Sequence, residues 1–363
     1  MSNRREADDY ASRRYLSVGE AARVLGVPVA AVQAAMREGI VPTHRAASGQ
    51  HRFDRADLLR LVQEGRFPGP AGEAAPAVEV LEAEGSGTRQ RIFVADARHM
   101  HHLADGSVHL MVTSPPYFDA KMYTAEPPAG DLGDIHDLQT WLAEIGKVWA
   151  EVYRVLQPGR KAFINLMNLP VRQNGTFRTL NLVGKTIDLC ERIGFIFKRE
   201  IVWHKANSVR AHFGTYPYPG GILLNFAHEF ILEFEKPAPK GFRKYAHVSP
   251  EQREASRLEK AFWLEIKKSD VWLLKPEGSG SRRSHVAPFP YDLPARLIRA
   301  YSFVGETVLD PFLGSGTTLL AARDLGRHGV GYEIVPALAQ QAWERLAGAA
   351  AEKNETMTPG EPL

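Results

Sequence analysis

The feature that most constrains the fold is a strand, a glycine turn and a helix that follow one another near the C-terminus. Residues 307–309 (Thr-Val-Leu) predict a short strand, Asp310 ends it, and a helix is predicted from Thr317 onward. Gly314 and Gly316 lie in the turn, where glycine lets the backbone approach a ligand at the carboxyl end of a strand. This arrangement is typical of α/β folds that bind a cofactor.

The residues around this turn narrow the type of cofactor. The third glycine of the dinucleotide fingerprint is missing, because three other residues follow Gly316, so a nicotinamide cofactor is disfavoured. A second short strand at 329–334 contains Glu333, which lies 23 positions after Asp310. At about that spacing an acid reaches ribose hydroxyls in a nucleoside-binding βαβ unit.

A second motif at a strand end is Thr113-Ser114-Pro115-Pro116-Tyr117, which follows the largely apolar run 108–112. It combines a hydroxyl group, a stiff backbone whose carbonyls stay free for a ligand, and an aromatic face. These groups can hold a flat base and polarise its exocyclic amine, and base–aromatic stacking contributes roughly 1–3 kcal/mol. The alternative is a Pro-Pro turn after a strand, with the tyrosine as a packing residue.

Alternating strands and helices predict an α/β fold, with a Rossmann-like, mostly parallel sheet and helices on both faces. Further strands are predicted at 91–94, 162–166 and 195–204, and a helix over 141–155 has apolar residues at helical spacing. Asp96 follows the first of these strands, where it is either a ligand contact or a helix N-cap.

Length and composition describe an ordinary soluble globular protein. The chain has 363 residues, 24% charged and 44% apolar, which is enough for two or three domains. It has no apolar run of roughly 18 residues, and the N-terminus lacks the apolar core of a signal peptide, so a cytoplasmic location is expected. The net charge of +3 allows a polyanionic partner without requiring one.

Taken together, the chain resembles the beta-class S-adenosylmethionine-dependent DNA amino-methyltransferases, which modify cytosine N4 or adenine N6. Residues 114–117 are similar to their catalytic motif, residues 310–318 are similar to their cofactor motif, and the order of the two motifs matches. Residues 285–290 with Leu293 are similar to the segment that covers the cofactor, and 228–236 to another core strand.

The resemblance spans about residues 91–346 and implies methyl transfer from S-adenosyl-L-methionine to double-stranded DNA, with S-adenosyl-L-homocysteine as product and without a metal. A cognate restriction endonuclease is a further candidate partner, no membrane partner is expected, and monomer and homodimer both remain open. The implied catalytic residues are Ser114, Pro115, Pro116 and Tyr117. The implied cofactor-binding residues are Asp96, Thr113, Phe289, Pro290, Asp310, Phe312, Gly314, Ser315, Gly316, Thr317 and Glu333.

The residue before the two prolines predicts the target base. In the resembled family, serine here mostly accompanies cytosine N4 methylation, whereas Asp or Asn mostly accompanies adenine N6, which stays the alternative. The Ser114 hydroxyl and the Pro115 carbonyl would each accept an N–H of the amine. Tyr117 would stack on a base flipped out of the duplex, and Phe118 is a weaker stacking candidate.

The single cysteine bears on the same question. Methylation of a cytosine ring carbon needs a thiolate that first adds to the ring. Cys190 lies in a segment, 182–192, that predicts a buried helix, so the expected target is a nitrogen. The rival function of another class, a DNA-binding regulator with an inactive methylase domain, is disfavoured by the intact motif residues.

Residues 15–64 predict a separate helix-turn-helix module that resembles MerR-like or excisionase-like winged modules. A short strand is predicted at 51–53, and helices are predicted at 20–25, 29–38 and 55–62. The implied DNA contacts are Gln33, Arg37, Arg45 and Arg52. The alternative is a small scaffold that binds another protein, or nothing.

Composition suggests the remaining boundaries: a flexible linker at 65–88, the methyltransferase domain at 89–350 and a disordered tail at 351–363. Residues 237–284 form a candidate target-recognition insertion, because residues 236–283 hold 12 Lys or Arg against 6 acids. The alternative is a solvated insertion, helical over 252–268. Together with a second loop at 205–221, the insertion supplies the predicted phosphate contacts Arg210, Lys244, Lys267, Lys268, Arg282 and Arg283.

Overall fold

The computed structural model divides into two compact units, Met1–Ala77 and Val78–Leu363. The residues that it describes are 15–18, 21, 32, 35–37, 39–45, 51–54, 57–58, 61, 79–85, 87–118, 128, 130–173, 176–206, 224, 226–276 and 289–355. Four predicted DNA contacts, Gln33, Arg210, Arg282 and Arg283, lie outside the described residues, as do residues 285–288 of the predicted cofactor-covering segment.

The first unit contains a small antiparallel sheet in the order β1 (Tyr15–Leu16), β3 (His51–Asp54), β2 (His44–Arg45). Every described position within the three predicted helices is helical, and Gly39, with φ of 69°, follows the second. The buried apolar residues described in this unit form one cluster: Leu16, Ala21, Val32, Ala35, Val41, Phe53, Leu58 and Leu61.

The second unit is built on a mixed sheet, which has nine strands in the described part of the chain. In order across the sheet they are β12 (Val271–Leu274), β10 (Ile196–Lys205), β11 (His228–Glu235), β7 (Leu156–Leu166), β6 (Val108–Thr113), β13 (Thr307–Asp310), β14 (His328–Glu333), β5 (Thr88–Val94) and β4 (Val80–Gly85). Five pairings are parallel, and three are antiparallel: β10–β11, β11–β7 and β4–β5. The predicted α/β fold is therefore confirmed.

Helices and a hairpin complete this unit. The described helices are α1 (Leu138–Val155), α2 (Leu182–Ile193), α3 (Pro250–Ala255), α4 (Lys260–Lys268), α5 (Asp292–Tyr301), α6 (Thr317–Asp324) and α7 (Pro336–Glu355). A short 3-10 turn spans Leu132–Asp134, and the hairpin consists of β8 (Leu169–Gln173) and β9 (Thr176–Leu180).

Successive side chains of the central strands enter two different cores, because side chains alternate between the faces of a strand. Met111 packs in the core that holds the α1 residues Trp141 and Trp149. Leu110 and Val112 pack in the other core, with apolar residues of α5. The sheet is thus covered by helices on both faces, which explains why its central strands are apolar without a polar alternation.

The parallel strands bring separate parts of the chain to one edge of the sheet. β5, β6, β7, β13 and β14 run in the same direction, so their carboxyl ends lie side by side. β11 runs in the opposite direction and brings its first residues, His228 and Glu229, to the same edge. In open α/β sheets, ligands bind outside this edge.

Two boundaries predicted from composition are wrong. Residues 80–85, assigned to the linker, form β4, which pairs with β5. The Trp343 indole of α7 donates a hydrogen bond to the Glu82 carbonyl at 2.9 Å. Similarly, α7 continues to Glu355, so helix occupies the start of the predicted disordered tail. The β4 segment depends on contacts with distant residues, which local composition does not reveal.

The insertion at 237–284 also differs from its prediction. The helix expected over 252–268 is two helices, α3 and α4, and α3 begins with a capping box between Ser249 and Gln252. The residues after α4 form β12, an edge strand of the main sheet, and Trp272 in it is buried. Part of the predicted recognition segment therefore belongs to the core of the second unit.

Candidate active site

A cavity of about 340 Å³ lies at the carboxyl edge of the sheet. It brings the two sequence motifs, separated by almost 200 positions, onto one surface. The lining residues are 95–97, 114–117, 130–132, 165, 167, 169, 203, 205, 229, 289, 310–315, 317, 332–335 and 338.

The glycine turn is shaped by Glu333 at the end of the neighbouring strand. The Gly314 N–H donates to one carboxylate oxygen of Glu333 at 2.9 Å, and the Val335 N–H donates to the other at 3.0 Å. Burial raises the pKa of this carboxyl to about 7. Gly316 has φ of 78°, and a Cβ there would approach the Ala342 Cβ to 3.1 Å, so the turn requires glycine.

Asp310 connects the two motifs. Its carboxylate is fully buried and accepts hydrogen bonds from the Thr113 hydroxyl at 2.6 Å and the Phe312 N–H at 3.1 Å. Burial raises the pKa of Asp310 to about 6. Because Thr113 ends β6 directly before Ser114, this bond fixes the relative position of the two motifs.

Asp96 lies on the cavity wall at the end of β5. Its carboxylate accepts hydrogen bonds from the backbone N–H and the guanidinium Nε of Arg98, each at 2.8 Å. Arg98 also donates to the Gly130 carbonyl at 2.9 Å and pairs with Glu144 of α1. Through these contacts, Arg98 connects Asp96 to the segment 130–132, which also lines the cavity.

The other half of the cavity carries the predicted catalytic residues. Ser114 and Tyr117 are half-buried, and their oxygens lie 3.3 Å apart. The Tyr117 hydroxyl donates to the carboxylate of Glu229 on β11 at 2.7 Å. The Asn165 amide donates to the same carboxylate oxygen at 2.6 Å, and the Lys205 ammonium pairs with the other oxygen at 2.6 Å.

Sequence reasoning missed Asn165, Lys205 and Glu229 as residues of the site. Each lies within one residue of an end of a strand that was predicted, and a polar residue near a strand end was the only available signal. Their convergence depends on the order of β10, β11 and β7 in the sheet. Ile334, Val335 and Leu338, which extend the wall beyond Glu333, were also missed.

Most predicted cofactor residues line the cavity: Asp96, Phe289, Asp310, Phe312, Gly314, Ser315, Thr317 and Glu333. Thr113, Pro290 and Gly316 do not belong to the described lining. Thr113 and Gly316 act instead as supports, through the Asp310 bond and the left-handed turn. Pro290 accepts a hydrogen bond from Leu293 at the start of α5.

Two predictions about single side chains are resolved by packing. Phe118 is buried and contacts the Trp141 ring edge-on, at 6.2 Å between centroids, so it is a core residue and not a stacking platform. Cys190 is buried in α2, as predicted, and burial raises the pKa of its thiol well above the usual range. A buried neutral thiol is a poor nucleophile, which agrees with a nitrogen target.

The three described lysines of the insertion are not beside the cavity. Lys244 packs on Gly159 near the start of β7, which is the opposite edge of the sheet. Lys267 and Lys268 end the helix that precedes β12, so they lie beyond the amino end of that strand. Strand direction thus separates these lysines from the cavity, and their role as phosphate contacts to DNA stays a prediction.

The predicted contacts of the first unit are placed only in part. Arg37 is exposed on the second predicted helix, Arg52 is half-buried on β3, and Arg45 belongs to β2. These positions are where a helix-turn-helix module and its wing would present basic residues.

Among the described residues, one group of side chains could hold a metal ion: His109, His247 and Glu306. It lies at the amino ends of β6 and β13, away from the cavity. The Glu306 carboxylate is already paired with Arg160 and His247. We interpret the group as a polar cluster around the buried Glu306, with His109 half-buried and His247 exposed.

Comparison with known proteins identifies both units. A family described as DNA methylase matches residues 108–344, and a family described as helix-turn-helix domain matches residues 15–66. The type II methyltransferase M.MjaI of Methanocaldococcus jannaschii is 34% identical over 282 residues, which is 68% of this chain and 88% of the relative. M.MthZI of Methanothermobacter thermautotrophicus, another type II methyltransferase, is 32% identical over 266 residues, 68% of this chain and 73% of the relative.

Solved structures agree. TTHA0409 of Thermus thermophilus, a protein proposed to be a DNA modification methylase, is known in complex with S-adenosyl-L-methionine. It is 35% identical, with a TM-score of 0.55, over 70% of this chain and 92% of that chain. The PvuII DNA methyltransferase, which is cytosine-N4-specific, has a TM-score of 0.51 at 15% identity, over 72% of this chain and 92% of that chain, and so shares the fold.

No helix within the described residues combines the length and apolar character needed to cross a membrane.

Proposed function

Because the chain belongs to the N6/N4-type DNA methylase family, we propose that it transfers a methyl group from S-adenosyl-L-methionine to cytosine N4 in double-stranded DNA. The observation that carries this proposal is the common cavity of Ser114, Pro115 and Tyr117 with the Asp310 and Glu333 turn. One half of the cavity suits a nucleoside-like cofactor, and the other half suits a flat base with an exocyclic amine.

The residues of the first half fit S-adenosyl-L-methionine. Gly314 leaves room for close approach, and the Glu333 carboxylate lies where it can accept ribose hydroxyls. Asp96 and Phe312 line the same region, with Phe312 held edge-on against Trp149 at 5.8 Å. When bound, the cofactor supplies an electrophilic methyl group on a sulfonium. The complex of the Thermus thermophilus relative supports this assignment.

The residues of the second half would hold and activate the base. An exocyclic amine is a poor nucleophile, because its lone pair is delocalised into the ring. Hydrogen bonds from the amine to the Ser114 hydroxyl and the Pro115 carbonyl would draw the nitrogen toward tetrahedral geometry and orient its lone pair. Tyr117 would stack on the flipped base, and flipping costs a few kcal/mol, about what stacking returns.

We propose that the helix-turn-helix unit contributes further DNA contacts through Arg37, Arg45 and Arg52, with Gln33 as a candidate outside the described residues. In the second unit, Arg210, Arg282 and Arg283 are further candidates, and they also lie outside the described residues. DNA contacts next to the pocket would come from segments that leave the carboxyl edge of the sheet, as residues 275–276 do after β12.

The methylated atom is the direct test. Unmethylated DNA, incubated with the enzyme, is digested, and the nucleosides are analysed by mass spectrometry. We expect N4-methylcytosine, because Ser114 stands where an acid or amide would favour adenine. If N6-methyladenine is found instead, the protein is still a DNA amino-methyltransferase, but its target is the adenine N6 amine, which is the second candidate function. If the protein binds DNA but no methylated base is found, the result would favour a DNA-binding regulator with an inactive methylase domain.

Ser114→Ala should lower the methylation rate by roughly tenfold to a thousandfold, because one positioned acceptor for the amine is lost. Cofactor affinity, measured by calorimetry, should stay the same. Ser107→Ala is the matched control: Ser107 precedes β6 at the far end of the strand and bonds the Ala104 carbonyl at 2.7 Å. Equal rates for both variants would place the amine contact elsewhere.

A further inference from the structure

Glu229 has a place in the proposed active site that the motifs do not assign. The residue is 7% exposed, and its side chain carries three bonds from three parts of the fold. Lys205 on β10 pairs with one carboxylate oxygen, while Asn165 on β7 and Tyr117 after β6 both donate to the other oxygen. A buried carboxylate is costly unless it is paired and hydrogen-bonded, and these contacts meet that requirement.

The carboxylate fixes the direction of the hydrogen bonds that lead to the base. A carboxylate can only accept, so the Tyr117 hydroxyl must donate its proton to Glu229. The Tyr117 oxygen is then left to accept. The Ser114 hydroxyl donates to it at 3.3 Å, and so does the Asn165 amide, also at 3.3 Å. The lone pairs of the Ser114 oxygen therefore remain available for an N–H of the amine. Bonds of this length in a free enzyme commonly shorten when substrate binds.

We propose that Glu229 is the terminal proton acceptor of a relay, Ser114 to Tyr117 to Glu229, that removes the proton which the methylated amine must lose. The proposal rests on the proposed amine methylation, and it holds for a cytosine or an adenine amine. Glu229 does not touch the base; it acts through Tyr117.

The relay balances the reaction. The nitrogen lone pair forms the new N–C bond, and the electron pair of the broken C–S bond stays on sulfur, so the positive charge passes to nitrogen. The nitrogen then loses a proton to the Ser114 oxygen. The Ser114 hydroxyl proton passes to the Tyr117 oxygen, and the Tyr117 proton passes to the Glu229 carboxylate, which becomes a neutral acid.

The neighbours of Glu229 hold its carboxylate in the accepting form before the transfer. Before the transfer, the Lys205 ammonium and the Asn165 amide stabilise the carboxylate. In addition, the bond from the Tyr117 hydroxyl to a fixed carboxylate restricts rotation of the ring about its axis. The same contact thus holds the proposed stacking surface in one orientation.

The test uses the full chain, tritiated S-adenosyl-L-methionine and PCR-amplified, unmethylated genomic DNA. Glu229→Gln keeps the shape and an acceptor oxygen but cannot take up the proton, and Tyr117→Phe keeps the ring but breaks the relay. We expect each to lower kcat by roughly a hundredfold, the scale of one lost proton transfer, with KM for DNA unchanged. The double variant should be no slower than the slower single variant.

The matched control is Glu235→Gln. Glu235 lies at the other end of β11, away from the cavity, and the substitution removes its ion pair with Lys161, at 2.8 Å. It should keep the wild-type kcat. A readout independent of turnover is the carbon-13 signal of the tyrosine ζ-carbon, which reports hydrogen bonding of the hydroxyl. The Tyr117 signal, identified by its loss in Tyr117→Phe, should shift in Glu229→Gln.

Three results would overturn the relay: wild-type kcat in either single variant, rate losses that multiply in the double variant, or an unshifted Tyr117 signal. If the wild-type protein methylates DNA normally while these variants behave so, only the relay fails. If the wild-type protein methylates no base in DNA that it binds, the proposed function fails, and the relay fails with it.

Discussion

At the scale of single residues, the cavity depends on two buried acids that are held by backbone and hydroxyl groups. Asp310 accepts from Thr113 and Phe312, and Glu333 accepts from Gly314 and Val335. Burial penalises the charged form of each, so both pKa values are raised, to about 6 and about 7. Each acid keeps its proton more tightly in the folded protein than in the unfolded chain.

This difference predicts how stability depends on pH. The pKa of Glu333 is 4.5 in an ordinary environment and about 7 here, so its contribution is fully present below about pH 4.5 and is lost as pH rises through 7. The loss approaches roughly 3 kcal/mol, at 1.36 kcal/mol per pKa unit. Glu333→Gln should lower the Tm through a lost hydrogen bond, but it should make the Tm fall less steeply between pH 4.5 and 7.

Thermal unfolding without cofactor, at several pH values, measures this effect. The comparison is with Glu344→Gln, an exposed position on α7, which should keep the wild-type pH dependence. Parallel pH profiles for the Glu333 variant and the wild type would contradict the prediction. Asp310 acts in the same direction over a lower range, so a residual slope is expected in the variant.

At the scale of secondary-structure elements, the edges of the sheet matter most. β12 and β4 end the sheet on its two sides, and neither was predicted as part of it. β4 covers the outer edge of β5, and its Leu81 and Ala83 pack against the cluster formed with α7. An uncovered strand edge presents unpaired backbone groups and favours aggregation.

The role of β4 is tested by comparing two truncated proteins, one that starts at Val78 and one that starts at Thr88. The first keeps β4, and the second exposes β5 and the apolar face of α7. We expect the shorter protein to unfold at a Tm lower by several degrees, since a loss of about 1 kcal/mol shifts Tm by roughly 2–4 °C in a unit of this size. It should also self-associate in sedimentation velocity. Equal Tm values and equal sedimentation would show that β4 contributes nothing.

At the scale of the whole molecule, two units carry different parts of the proposed function. All described lining residues of the cavity belong to the second unit, and the first matches a helix-turn-helix family over residues 15–66. The described part of the cavity includes no residue of the first unit, so catalysis and the additional DNA contact can be separated experimentally. A second contact on the same chain strengthens binding through effective concentration, without altering the active site.

Removing residues 1–77 should therefore weaken DNA binding and make it less dependent on salt, because phosphate contacts are lost. The slope of log affinity against log salt should fall by about 1 for each lost contact. Binding of S-adenosyl-L-methionine, measured by calorimetry, should not change, and methylation should persist at high DNA concentration. An unchanged DNA affinity with an unchanged salt slope would make the first unit a protein-interaction module.

The sequence by itself determined the fold class, the family and the two contiguous motifs. Ser114–Tyr117 and Asp310–Thr318 could be recognised because each is a single strand end, whose chemistry is written in adjacent residues. The helix over 141–155 and the burial of Cys190 were also predictable, since helical periodicity is a local property.

Only the tertiary structure decided which other residues join the site. Asn165, Lys205 and Glu229 come from three strands, and their meeting depends on strand order and direction, which no local pattern encodes. Strand order and direction also place Lys267 and Lys268 away from the cavity, because a sequence shows a charge but not the edge of the sheet on which it lies. Long-range pairing across the sheet sets the direction of each strand. In this protein, that direction decides whether a charged residue near a strand end lies at the cavity or at the opposite edge of the sheet.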